Sequence, residues 1–114
     1  MNPPTNPWQR VILESPYAGE VEKNRVFALA CSRDMFNRGE APFASHLLYP
    51  RFLHRYNWEE RRMGIEAGQI WIPVAHKMVY YTDLGISSGM RMGFEAAQRA
   101  GIPIEERTLG WQRV

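Results

Sequence analysis

Apolar residues along the chain fall into two patterns, short continuous runs and longer stretches at helical spacing. The compact runs predict four short strands, at residues 10–15, 41–45, 77–81 and 102–106. The helical spacing predicts three helices, at residues 20–38, 58–72 and 89–100. Strands and helices therefore alternate along the chain.

Start and stop signals support these helices. Asn57 is a residue type that caps helices, and Glu59 and Glu60 follow it in the first turn of the second helix. Gly39 and Gly101 follow the first and third helices, where glycine typically ends a helix. The aromatic stretch 46–56 contains a proline and is predicted to be an ordered loop or a short helix.

The alternating order predicts an α/β fold, a flavodoxin/Rossmann-like three-layer α/β/α sandwich with a mostly parallel sheet of four or five strands. Parallel sheets of this kind bind ligands at the carboxyl ends of their strands. The function is therefore expected in three loops, at residues 16–19, 46–53 and 82–89. We expect residues 1–9 to be a flexible lead-in and residues 10–114 to form a single domain.

Composition narrows the class of protein. The 114 residues are 45% apolar and 23% charged, which is typical of a globular domain, and a domain this small is expected to self-associate as a homodimer or higher homo-oligomer. The net charge of +2 is scattered, which argues against binding a nucleic acid polymer. No apolar run reaches the ~20 residues that span a membrane, and the polar N-terminus predicts no secretory signal. A lone cysteine, Cys31, excludes an internal disulfide and favours the cytoplasm.

The third loop contains the most informative motif, Ser87-Ser88-Gly89-Met90, at the start of a helix. Free N–H groups and the helix dipole attract a phosphate or carboxylate there, and a serine hydroxyl adds a donor. Alternatively, one of the serines only caps the helix. Asp83, in the same loop, is a candidate for accepting a hydrogen bond from a sugar hydroxyl or for holding a turn.

The first two loops add further candidate binding residues. Ser15, Tyr17 and Gly19 directly follow the first strand, where a glycine lets a ligand approach the backbone and a tyrosine can stack on a base. His46 follows the second strand and is a candidate hydrogen-bond partner for a ligand hydroxyl or phosphate. No histidines have the spacing of a helical metal site, so neither a metal nor another cofactor is expected.

These motifs together resemble the nucleoside 2-deoxyribosyltransferase-like superfamily, and more closely its small, uncharacterised branch of phages and bacteria. The resemblance spans about residues 10–107. Three sets of residues support it: Ser15-Pro16-Tyr17-Ala18-Gly19, His46-Leu47-Leu48-Tyr49-Pro50, and Ser88-Gly89-Met90 with Ala97 and Gly101-Ile102-Pro103. It implies a flavodoxin-like fold and a site for a nucleoside or nucleotide. It also implies an enzyme in which a glutamate of the third helix attacks the anomeric carbon of the sugar.

At one position the sequence departs from this pattern. Counted back from Gly101, the position of the catalytic glutamate falls on Gly93. The nearest acid is Glu95, but two residues along a helix correspond to a rotation of ~200°, so Glu95 is expected to point away from the site. Asp83 and Glu66 are the other candidate acids.

Two functions remain open from the sequence. The first is an enzyme of the N-glycosidic bond, either a deoxyribosyltransferase or an N-hydrolase, with Glu95 or Asp83 as the catalytic acid. The second is a non-catalytic protein that sequesters a nucleotide or an ADP-ribose-like signal molecule, such as a phage protein acting against host defence. Gly93 favours binding, whereas the superfamily resemblance favours the enzyme.

Overall fold

A four-stranded sheet with helices on both faces forms the fold, and the computed structural model describes residues 7–54 and 56–112. The strands are β1 (Gln9–Glu14), β2 (Glu40–Phe43), β3 (Lys77–Tyr81) and β4 (Ile104–Arg107). The helices are α1 (Val21–Asn37), α2 (Ser45–Leu48), α3 (Trp58–Gln69) and α4 (Ser88–Ala100). Single 3₁₀ turns at Tyr49–Arg51 and Ile72–Val74 follow α2 and α3. Most of the predicted lead-in, residues 1–6, lies outside the described residues.

The sheet is parallel throughout, in the order β2-β1-β3-β4. The predicted α/β sandwich is therefore confirmed, with four strands in the described part of the chain. After β1 the chain adds β2 on one side, then crosses to place β3 on the other side of β1. This reversal makes the carboxyl ends of β1 and β3 the switch point of the sheet, where such folds leave a crevice.

Alternation along β1 separates two apolar clusters. Val11 and Leu13 point to one face and pack with Phe27 of α1. Ile12 points to the other face and packs with Ala97 of α4. Because successive side chains of a strand point to opposite faces, Glu14 projects to the same face as Ile12, toward α4.

The local signals act largely as predicted. The Asn57 side chain accepts hydrogen bonds from the backbone N–H groups of Glu59 and Glu60, both at 3.1 Å, and so caps α3. Gly101 ends α4 in the left-handed region, with φ 73°. The N–H of Ile102 bonds back to the carbonyl of Ala97, which is why β4 begins two residues later than predicted.

None of the helices in residues 7–54 and 56–112 has the length and apolar character needed to cross a membrane.

Candidate functional site

A cavity of ≈ 380 Å³ opens at the carboxyl ends of β1 and β2. Four segments line it: the end of β1 with the turn after it, α2 with its 3₁₀ turn, α3, and the first half of α4. Its volume is within the range of small-molecule sites, which is about 300–1,000 Å³. Apolar side chains such as Phe43, Leu53 and Ile65 contribute much of the wall. The cavity is thus large enough for a small organic molecule.

The cavity brings together residues that are far apart in the sequence. Eight of the nine predicted substrate-binding residues line it: Ser15, Tyr17, Gly19, His46, Ser87, Ser88, Gly89 and Met90. They meet because the loops that follow parallel strands converge at one edge of the sheet. Their part in binding a ligand stays a prediction.

His46 and Ser15 form a polar pair within this wall. The Ser15 hydroxyl lies 2.7 Å from Nε2 of His46, so the two share a hydrogen bond. Burial lowers the pKa of His46 to about 4, because the protonated ring is poorly solvated there. His46 is therefore neutral at physiological pH and presents a polar group without a charge.

The start of α4 is arranged as a capped helix. The Ser87 hydroxyl accepts a hydrogen bond from the N–H of Met90 at 3.2 Å, so Ser87 is the capping residue. In the part of the chain that the structure describes, the N–H groups of Ser88 and Gly89 have no hydrogen-bond partner. These two donors and the exposed Ser88 side chain are available at the cavity wall.

Asp83 is placed away from the cavity lining. Its carboxylate accepts hydrogen bonds from the backbone N–H groups of Leu109, at 3.0 Å, and Trp111, at 2.8 Å. Asp83 thereby ties the segment after β4 to the end of β3. The carboxylate thus contacts the backbone of the segment after β4, and it does not lie in the cavity where the sugar was predicted to bind.

The other two candidate acids also lie elsewhere. Glu95 is exposed on α4 and does not line the cavity. Gly93, two residues earlier, does line it, in keeping with the expected rotation between the two positions. Glu66 is on α3 and pairs with Arg62 at 2.6 Å.

The acid that does reach the cavity is Glu14, at the end of β1. Its carboxyl group occupies the space beside Gly93, where a Cβ atom would lie 2.7 Å from Cδ of Glu14. Burial raises the pKa of Glu14 to about 8, so the group is mostly protonated at neutral pH. Within residues 7–54 and 56–112 it makes neither a hydrogen bond nor an ion pair.

No cluster of three or more His, Cys, Asp and Glu side chains suited to a metal ion occurs among the described residues. Cys31 is a buried residue of α1, and burial raises the pKa of its thiol well above the usual range. The polar groups that line the cavity include the carboxyl group of Glu14, hydroxyls, the imidazoles of His46 and His54, the guanidinium of Arg61 and backbone amides.

Residues 9–107 match the model of a domain of unknown function, DUF7768. The chain belongs to this family. Of curated proteins, none matches it. Among solved structures, it is similar to the 2-deoxyribosyltransferase of the psychrotolerant bacterium Bacillus psychrosaccharolyticus, with a TM-score of 0.64 and 17% sequence identity. The match covers 92% of this chain and 76% of that chain, and it shows a shared fold.

Sequence reasoning missed Glu14 in this DUF7768 domain, because the residue was counted as part of the buried strand predicted at residues 10–15. A signal was present in the alternation of β1. Glu14 is two positions after Ile12, so it shares the apolar face of Ile12 and yet is ionisable. An acid on the inward face at the carboxyl end of a central parallel strand is a candidate site residue.

Proposed function

We propose that the protein cleaves or exchanges the N-glycosidic bond of a nucleoside or nucleotide bound in this cavity. The observation that carries the proposal is the cavity between the start of α4 and the carboxyl ends of β1 and β2, with a carboxyl group in its wall. A carboxyl group suits this reaction because it can exchange a proton with the base or stabilise positive charge on the sugar carbon. The fold shared with a 2-deoxyribosyltransferase supports the same reaction class.

In this proposal the base and sugar occupy the inner part of the cavity. Tyr17 and Gly19 contact the sugar or the base, and the apolar side chains of Phe43 and Ile65 pack against the base. His46, neutral and already bonded to Ser15, offers a hydrogen bond to a sugar hydroxyl or a phosphate.

A phosphate, where the substrate carries one, binds at the start of α4. The free N–H groups of Ser88 and Gly89 and the Ser88 hydroxyl act as donors, while Ser87 and the N–H of Met90 form the cap behind them. Arg61 of α3 lines the same cavity, and its side chain has no ion-pair partner among the described residues. The proposed ligand is thus a nucleoside or its monophosphate.

The proposal is tested by incubating the protein with a panel of ribonucleosides, deoxynucleosides and their monophosphates. Chromatography then measures the free base, which we expect from at least one member. Exchange is tested by adding a second free base and looking for a new nucleoside. Failure of every panel member to release or exchange its base would contradict the proposal.

The phosphate position has its own test. In Ser88→Asp a negative charge stands at the start of α4, and we expect monophosphate binding to be lost while the fold is kept. Ser88→Thr, which keeps the hydroxyl, is the matched control and is expected to bind. Equal affinity of the Ser88→Asp variant and the wild type, measured by calorimetry, would contradict the anion site.

One observation favours the second candidate function, sequestration without reaction. Toward the cavity α4 presents Gly93, and its acid Glu95 faces solvent. A protein of this kind would hold a nucleotide or an ADP-ribose-like molecule tightly and unchanged. Mass spectrometry of the ligand that co-purifies separates the two functions, since an intact nucleotide that resists prolonged incubation indicates sequestration.

We also infer that a second copy of the chain covers the apolar surface of α3 and the turn after it. This surface exposes five large apolar side chains, which are Trp58, Met63, Ile70, Trp71 and Val74. Analytical ultracentrifugation tests the inference, and a monomer at all concentrations would contradict it. A cytoplasmic location and a phage origin stay predictions.

A further inference from the structure

The space beside Gly93 is filled by a side chain from another element. A Cβ atom added to Gly93 would lie 2.7 Å from Cδ of Glu14, closer than Cβ atoms come to other atoms, and it would lie closer still to Oε1. Gly93 is buried in the middle of α4, where glycine is a poor helix former. The absence of a side chain at position 93 therefore gives the carboxyl group of Glu14 its place.

The carboxyl group in that place has no partner of its own. Buried polar groups in folded proteins are nearly always hydrogen-bonded, and a buried acid that serves the fold usually has donors around it. Glu14 has no such donor within residues 7–54 and 56–112, and its carboxyl group is only partly buried and opens onto the cavity. The carboxyl group is therefore held beside Gly93 with no bond to the rest of the fold, and it is available to a molecule in the cavity.

We infer that Glu14 is the catalytic carboxyl group of this cavity, supplied by the end of β1 at the point where α4 has only Gly93. The inference rests on the proposed function, because it names the group that performs the proposed cleavage. It also assigns that group to a strand, whereas the sequence resemblance assigns it to a helix.

The geometry suits a proton donor. As the bond between the sugar C1′ and the base nitrogen breaks, its electron pair stays on the nitrogen, which takes the proton of Glu14. The carboxylate left behind faces the positive charge on C1′ and stabilises it. A water molecule then adds its oxygen to C1′ and returns a proton to Glu14. Nucleoside and water thus become free base and sugar, and Glu14 ends as the acid.

The surroundings of Glu14 keep the acid form at neutral pH. Burial raises its pKa to about 8, and the neighbouring His46 is neutral. The titratable or charged groups that share the cavity are Tyr17, His46, Tyr49, His54, Tyr56 and Arg61. Tyr80 is the β3 partner of Glu14, and its hydroxyl donates to Glu106 at 3.0 Å.

The first test is Glu14→Gln, which keeps the shape of the side chain and removes its acidity. We expect base release to fall at least about 100-fold, the usual minimum for losing a general acid. Glu59→Gln makes the same change on the exposed start of α3, outside the cavity, and is expected to match the wild type. Circular dichroism checks that both variants are folded.

The outcomes separate this inference from the proposed function. A wild-type protein that releases no base from any nucleoside overturns both. Base release by the wild type that persists in Glu14→Gln overturns the role of Glu14 and leaves the proposed function standing. Loss of activity in Glu95→Gln, with Glu14→Gln active, would assign the role to Glu95.

The pH profile tests the acid role specifically. Because the protonated form is active, the rate of the wild type is expected to fall about tenfold per pH unit above a pH near 8. The residual rate of Glu14→Gln is expected to lack this fall. A wild-type rate that increases through this range would overturn the donor role, since it would require the carboxylate.

The contact between Glu14 and Gly93 can be tested without any activity. Gly93→Ala is expected to lower the unfolding temperature of the wild type, because the new methyl group displaces the carboxyl. In a Glu14→Ala background the same change is expected to raise it, because alanine favours the helix. Equal effects in the two backgrounds would overturn the placement of the carboxyl.

Discussion

Two glutamates on opposite faces of the same sheet differ sharply in their surroundings. Glu40, at the start of β2, is 4% exposed and accepts two hydrogen bonds from the Arg107 guanidinium, at 2.6 and 2.7 Å. Lys77 lies 2.9 Å from the same carboxylate. Glu14, at the end of β1, has no such partner within the described residues.

The pKa of each group follows from these surroundings. Burial by itself would raise the pKa of both carboxyl groups. At Glu40, the hydrogen bonds from Arg107 and Lys77 more than offset burial and hold the pKa below its usual value. At Glu14 burial acts unopposed and raises the pKa to about 8. A buried acid with cationic partners belongs to the framework of the fold, whereas one without them is left to react with a ligand.

The largest expected effect on stability comes from removing Glu40, the acid that is paired with Arg107. Glu40→Ala leaves Arg107 buried without its carboxylate, and we expect it to cost about 3–5 kcal/mol in the free energy of unfolding. Glu105→Ala removes an acid that pairs with the same arginine but is 43% exposed, and is expected to cost less than about 1 kcal/mol. Urea unfolding measures both. Similar losses in the two variants would contradict the framework role of Glu40.

Replacing Glu14 is expected to have the opposite effect from replacing Glu40, since it should increase stability at high pH. The folded protein keeps the Glu14 proton up to a pH near 8, whereas the unfolded chain releases it near the ordinary 4.5. The contribution of Glu14 to the stability of the wild type is therefore lost as the pH rises from 4.5 to 8, and Glu14→Gln lacks this loss. Relative to the wild type, we expect Glu14→Gln to be more stable at pH 9 than at pH 4 by about 4 kcal/mol.

Urea unfolding of the two proteins at pH 4 and pH 9 provides the measurement. Glu59→Gln, on an exposed helix start, is the control, and its stability is expected to differ from that of the wild type by the same amount at both pH values. A stability difference between Glu14→Gln and the wild type that is the same at both pH values would show that the carboxyl is not held in its neutral form.

The same contrast explains how much the sequence predicts. The apolar runs place all four strands, and Asn57 and Gly101 mark helix ends, because these signals act within a few residues. The position of Glu14 is different, because it depends on how closely α4 crosses the end of β1. That distance is set by packing between segments about 80 residues apart, and no local pattern expresses it.

The candidate site shows this limit as well. The rule that parallel strands converge at their carboxyl ends brings Tyr17, His46 and Ser88 to one cavity, since the rule concerns the fold as a whole. The rule does not distinguish Asp83 from these residues, although Asp83 lies outside the cavity lining. Asp83 follows β3, but its carboxylate accepts hydrogen bonds from the segment after β4. Which way a loop side chain turns is decided by donors that only the folded chain supplies.

Replacing His46 is expected to have a smaller effect on the pH dependence of stability, in the opposite direction to that of Glu14. Its pKa is lowered to about 4, so the folded protein resists the protonation that the unfolded chain undergoes near 6.5. This contribution to stability is present above pH 6.5 and is lost as the pH falls toward 4. We expect His46→Gln to gain about 2 kcal/mol relative to the wild type between pH 7 and pH 4.

His54→Gln, at an exposed position, is the control for this measurement and is expected to follow the wild type. Between pH 4.5 and 6.5 the effects of Glu14 and His46 oppose each other. The wild type is therefore expected to show a flatter stability profile in this range than either single variant. A steep profile in the wild type would contradict one of the two assignments.

The smallest effects distinguish two neighbouring serines in the same way as the two glutamates. The Ser87 hydroxyl is engaged with the N–H of Met90, so Ser87→Ala is expected to cost about 1 kcal/mol of stability and to change monophosphate affinity little. The Ser88 hydroxyl has no partner among the described residues, so Ser88→Ala is expected to keep stability and to weaken monophosphate binding about 5- to 10-fold. Thermal unfolding and calorimetry on both variants give the two readouts. If one serine variant lost both stability and monophosphate affinity, a hydrogen bond within the fold would not predict which hydroxyl binds the ligand. The same argument supports the assignment of Glu14, so that result would also weaken the case for Glu14.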